Sequence, residues 1–97
     1  MKPEKTRDEI QFTLSAADGR KFLLELQQGR VVLAGRDLGA EVVIPDGRVS
    51  RHHAGLSLEK DGLYLEDLHS QNGTLVNSER IQRTRLQHGD SINLGGY

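Results

Sequence analysis

Ninety-seven residues can support one hydrophobic core but not two, so the chain is expected to form a single domain. Hydrophobic residues are 35% and aromatics 4% with no Trp, which leaves Leu, Val and Ile to build that core. A net charge of -1 argues against a general nucleic-acid binder, and the absence of Cys excludes disulfides, thiolate metal sites and a cysteine nucleophile.

Residues 1–9 are polar, carry no apolar pattern and read as a flexible tail, with the domain over 10–97. No apolar run is long enough for a signal peptide or a membrane span, so a soluble, cytoplasmic domain is expected. Ile10-Gln11-Phe12-Thr13-Leu14 alternates with period two, as a half-buried strand does. After a turn at Asp18-Gly19, Phe22, Leu24 and Leu26 share one face of a second strand. Gln28-Gly29 turns the chain into Val31-Val32-Leu33-Ala34, and Val42-Val43-Ile44 ends at Pro45-Asp46-Gly47. Ala54, Leu56 and Leu58 alternate with Gly55, Ser57 and Glu59, and Lys60-Asp61-Gly62 reads as a hairpin loop into Leu63-Tyr64-Leu65-Glu66. Thr74-Leu75-Val76 and Ser91-Ile92-Asn93-Leu94 are further short strands. Turn signals recur too often for an amphipathic helix. The predicted class is all-β, a sandwich or barrel. Gly95-Gly96-Tyr97 follows a strand and a turn signal directly, so the final strand is expected to be truncated within a longer multidomain protein.

Three polar clusters fall in the loops between strands, where a rigid scaffold displays binding groups. They are Gly35-Arg36, Ser50-Arg51-His52-His53-Ala54 and the segment Ser70-Gln71-Asn72-Gly73-Thr74-Leu75-Val76-Asn77. Brought together, they would offer two guanidinium groups, a hydroxyl, an amide and glycine-freed backbone. That is a chemistry for receiving an anion. Arginine suits phosphate because it stays charged and donates in a planar fork. No nucleophile–base pair, P-loop or metal set is present, so no enzyme activity and no cofactor are expected.

These residues resemble the forkhead-associated (FHA) domains, which use arginine clusters to read phosphorylated motifs. The resemblance runs from about Phe22 to Leu94 and rests on Gly35-Arg36, Ser50-Arg51-x-His53-Ala54, Asp67-x-x-Ser70-x-Asn72-Gly73-Thr74, Val76-Asn77 and Gly89-Asp90-x-Ile92. It implies a β-sandwich of two antiparallel sheets that binds phosphothreonine peptides at one end, in signalling that depends on a Ser/Thr kinase. It also implies that Arg36, Ser50 and Arg51 contact phosphate, Gln71 shapes its pocket and Asn72 holds the peptide main chain. Arg48 would influence the third residue after the phosphothreonine, with a modest acidic preference. Gly35, His53, Gly73, Thr74 and Asn77 would support the site structurally. Ser78 stands where the family often has Gly.

Each of these residues also has a plainer role open to it. Arg36 and Arg51 could be ordinary exposed arginines, and Ser50 could cap a loop. Asn72-Gly73 is a strong turn signal, which is compatible with a clamp role for the Asn side chain. His52, His53, His69 and His88 show no metal-ligand spacing, and His52 reads as exposed and incidental. Asp67 reads as a loop brace, and Arg80, Arg83 and Arg85 as a solvated basic surface. The expected partner is a phosphothreonine protein or peptide, with no nucleic acid and no membrane. The alternative is an FHA-like domain that mediates interaction or oligomerisation independently of phosphate.

Overall fold

The computed structural model describes residues 9–16 and 18–97. Apart from Glu9, the tail expected over residues 1–9 lies outside the described residues, and Glu9 itself opens a strand. Ten strands follow in order: β1 (Glu9–Ser15), β2 (Lys21–Gln27), β3 (Val31–Gly35), β4 (Val42–Val43), β5 (Ala54–Glu59), β6 (Gly62–Asp67), β7 (Thr74–Val76), β8 (Glu79–Ile81), β9 (Arg83–Arg85) and β10 (Ile92–Leu94). No helix occurs among the described residues.

Period-two alternation places the core. On β2, Leu24 and Leu26 are buried while Leu23, on the opposite face, is 80% exposed. Val32 and Ala34 of β3 and Leu56 and Leu58 of β5 turn inward to meet Leu65, Val76 and Leu94 in one apolar cluster. Each fully buried Val or Leu contributes roughly 1.5–3 kcal/mol.

One sheet has five strands in the order β4-β3-β5-β6-β9, and the rest form a β10-β7-β8 ladder and a β1-β2 hairpin. The pairings between these strands are antiparallel except β3 with β4, which run parallel through Ala34–Val42 and Gly35–Val43. A strand of only two residues lets a short loop return the chain alongside β3 without a long crossover. Among the described residues β1 pairs only with β2, and β10 only with β7. A cavity of about 580 Å³, lined in part by Thr13, Leu14, Leu56, Ile92, Leu94 and Tyr97, opens between them. Arg20 ties the chain after β10 back to the β1–β2 turn, pairing with Asp18 at 2.9 Å and donating to the Tyr97 hydroxyl at 2.8 Å.

Candidate functional site

Register explains why three distant loops meet. Ala34 of β3 lies opposite Ala54 of β5, and Ala54 lies opposite Asp67 of β6. The chain leaving β3, the chain entering β5 and the chain leaving β6 therefore emerge at one end of the five-stranded sheet. Those segments carry Gly35-Arg36, Ser50-Arg51 and Ser70-Gln71-Asn72-Gly73.

The first two are joined through their main chains: Arg36 N donates to Ser50 O at 3.0 Å, and Asp37 N donates to Arg51 O at 3.2 Å. Gly35 permits this approach, because a Cβ there would lie 2.0 Å from Arg51 O and 2.9 Å from Ser50 O. The exposed Arg36 side chain donates from Nε to Val49 O at 2.9 Å, and its two Nη groups make no hydrogen bond among the described residues. Arg51 is exposed and forms no ion pair among the described residues. Half-buried Ser50 accepts Gln71 N at 3.0 Å on its Oγ, so its hydroxyl proton stays available to a ligand. Gln71 itself is exposed.

His53 is fully buried and fastens two loops together. Its Nδ1 accepts the Ser50 N–H at 3.0 Å, which places the ring proton on Nε2, and Nε2 donates to Gly73 O at 2.8 Å. Asp67 braces the β6–β7 loop from below by accepting from Ser70 Oγ, from Thr74 Oγ1 at 2.7 Å and from Ser70 N at 3.2 Å. Burial works against its charge. The hydrogen bonds from Ser70 and Thr74 outweigh that and hold the Asp67 carboxyl below the usual range. Ser70 Oγ in turn accepts Gly73 N at 2.9 Å.

Exposed Asn72 donates from Nδ2 to Arg48 O at 2.9 Å, which leaves its Oδ1 open. Arg48 is less available than the sequence implies. Its Nε and Nη2 grip Asp46 at 3.0 and 2.8 Å, and the bonds from the Arg48 side chain and N–H pull Asp46 down to about 2. Asn77 bonds away from the anion loops, donating to Asp90 at 2.9 Å and accepting Ser91 N at 3.0 Å. His52 is exposed but not incidental, since its Nε2 lies 3.0 Å from Asp37 Oδ2. A Gly39 N–H first, and then His52, hold the Asp37 carboxyl below its ordinary range. Among the described residues no group of three or more His, Asp or Glu could hold a metal. Sequence reasoning also missed Asp46 as the partner of Arg48, although an Asp two residues before an Arg in a Pro-Asp-Gly turn is a readable signal.

Fold and site together define an all-β binding module that presents an anion-receiving set of loops at one end of a sandwich. The chain belongs to the FHA domain family, whose model matches residues 32–95. It is 37% identical over 83 residues to the FHA domain-containing protein FhaA of Mycobacterium tuberculosis, a match covering 86% of this chain and 16% of that protein. It is 34% identical over 79 residues to the glycogen accumulation regulator GarA of the same organism, covering 81% of this chain and 47% of GarA. The chain thus spans less than half the length of either relative. A structure described as an analysis of phosphothreonine-dependent FHA domain interactions matches with a TM-score of 0.78 and 36% identity, over 90% of each chain. Among the described residues no helix is long and apolar enough to cross a membrane.

Proposed function

We propose that the chain is a phosphothreonine-peptide recognition module that joins proteins after a Ser/Thr kinase has acted, and that it catalyses no reaction. Arg36, Ser50 and Arg51 contact the phosphate, Gln71 lines the pocket and Asn72 holds the peptide main chain. The observation that carries this reading is the convergence of two arginines that pair with no carboxylate among the described residues with a serine hydroxyl whose oxygen is already anchored by Gln71 N. A phosphothreonine matches it with a charge of about −1.5 to −2 and three strong acceptor oxygens. Family membership and the likeness to a phosphothreonine-dependent FHA structure support the same reading. We place the module in the cytoplasm, within a longer protein and with no nucleic-acid or membrane ligand.

Preference for threonine over serine requires a niche for one methyl group, worth roughly 1–3 kcal/mol. Titration with phosphothreonine, phosphoserine and unphosphorylated versions of one peptide tests both points. Tight binding of the first alone is expected, and equal binding of all three excludes phosphate recognition. Arg36→Ala and Ser50→Ala should each weaken binding by about 1.5–3 kcal/mol, the range for charge-assisted hydrogen bonds.

The edges of β1 and β10 beside the 580 Å³ cavity, which carry no neighbouring strand among the described residues, favour one second reading, in which the chain associates by strand pairing there without phosphate. In that case Arg36→Ala leaves association unchanged, and the mass in solution rises with concentration.

A further inference from the structure

Arg80, Arg83 and Arg85 follow one another closely in sequence yet do not form one basic surface. Arg83 pairs with Glu59 at 3.2 Å and lies over the Tyr64 ring at 4.1 Å. Arg85 packs on the β5–β6 turn, its Nε 2.9 Å from where a Cβ on Gly62 would sit. Arg80 belongs to a different sheet, on β8 opposite Leu75. Its guanidinium covers Gly73, with Cζ at 3.0 Å and Nε and Nη2 at 3.2 Å from the position of a Gly73 Cβ. Gly73 follows the clamp residue Asn72, and its carbonyl is the one His53 holds. An exposed cation therefore rests on the backbone of the anion-binding loop, and it forms no ion pair among the described residues. Arg48, the arginine to which Asn72 bonds, has its charge met by Asp46.

We propose that Arg80 is a specificity-determining residue that reads a second anionic group, a carboxylate or another phosphate, flanking the phosphothreonine of the bound peptide. The proposal rests on phosphothreonine recognition as set out above. Contact with a bare glycine backbone restrains the guanidinium before the ligand arrives, so less rotamer freedom is lost when its fork meets an anion. A merely structural Arg80 would shield Gly73 and affect every peptide alike. A specificity role affects only peptides that carry the second anion.

The test is a set of anisotropy titrations with phosphothreonine peptides in which each flanking position in turn carries Glu, Gln or a second phosphothreonine. Wild type should prefer Glu over Gln by about two- to fivefold at one or two positions, the size of an exposed ion pair, and more strongly prefer the second phosphate. Arg80→Gln should bind the Gln peptides as wild type does and lose the preference. Arg80→Lys should recover part of it. The proposal is overturned if wild type binds the phosphothreonine peptides without an acidic preference. It is equally overturned if Arg80→Gln keeps the preference or weakens all peptides equally. Failure of wild type to bind any phosphothreonine peptide removes the underlying recognition as well, and so is told apart from failure of the Arg80 assignment alone.

Discussion

Replacing His53 with alanine strikes the joint between the loop entering β5 and the loop leaving β6. The ring is fully buried, accepts Ser50 N and donates to Gly73 O. Gly73 O also accepts Gly95 N at 3.0 Å, so the substitution orphans one main-chain group, the Ser50 N–H, and not two. An unsatisfied buried donor costs about 1–3 kcal/mol. The vacated space adds roughly 1–2 kcal/mol by the scaling for core cavities. The expected loss is therefore about 2–5 kcal/mol, a large part of the stability of a small domain but not all of it.

Urea unfolding followed by circular dichroism measures that loss, and phosphopeptide titration under folding conditions measures its effect on the site. Ser50 Oγ is positioned through the same residue that His53 grips, so affinity should fall together with stability. His53→Phe keeps a ring in the cavity and removes both bonds, which isolates the hydrogen-bond share at about 1–3 kcal/mol. A loss below about 1 kcal/mol in the alanine variant would refute the accounting of a buried orphan donor. Unchanged phosphopeptide affinity in a destabilised variant would refute the claim that the ring holds the shape of the pocket.

Gly35→Ala should be more damaging than an ordinary glycine replacement, at about 3 kcal/mol or more. Its Cβ would collide with backbone atoms of Ser50 and Arg51 that cannot rotate away, and a melting scan with peptide titration reads both losses. Ser78→Gly should stabilise the domain by about 0.5–1 kcal/mol, seen as a raised urea midpoint with phosphopeptide affinity unchanged. Ser78 sits at φ 73, a left-handed conformation that glycine adopts without penalty, although glycine's looser unfolded chain takes back part of the gain. The lowered Asp67 carboxyl predicts an acid-sensitive loop. Because its folded pKa is depressed, its contribution is complete above the unfolded value of about 3.9 and disappears as pH falls through the folded value. Asp67→Asn should be less stable than wild type at neutral pH and should show a smaller further loss below about pH 4.

Strands that alternate against a core were legible in the sequence, because a one-residue shift would expose Leu24 and Leu26 and bury Glu25. The short strands β8 and β9 were not. Glu79-Arg80-Ile81 and Arg83-Thr84-Arg85 contain one aliphatic residue between them, and they are strands because β7 and β6 offer them partners. The parallel course of β4 was equally hidden, since Val42-Val43 reads the same in either direction. The loops that carry the candidate residues were legible as a group, because Gly-Arg, Ser-Arg and Asn-Gly mark them in the chain itself. Which charges remain free was not readable. Arg36, Arg48 and Arg80 are equivalent letters, and only coordinates distinguish the one that grips Val49 O, the one clasped by Asp46 and the one lying on Gly73.

That sorting of arginines reconciles a net charge of -1 with an anion-binding site. Asp18 pairs with Arg20, Glu41 with Arg30, Asp46 with Arg48 and Glu59 with Arg83. Acidic residues thus meet the arginines away from the loops, or in the turn beside them, while Arg36, Arg51 and Arg80 form no such pair among the described residues. At physiological salt a charge is felt over only about 8 Å, so the balance over the whole chain matters little to a ligand in contact with the loops. The nearly neutral total lowers long-range attraction to polyanions such as nucleic acid, whose binding depends on many distributed phosphate contacts. It leaves intact the short-range attraction that one phosphate receives from a fork of donors. On the proposed function, selectivity for a single phosphorylated residue over a polyanion would follow from where the acidic partners lie, and not from how many basic residues the chain contains.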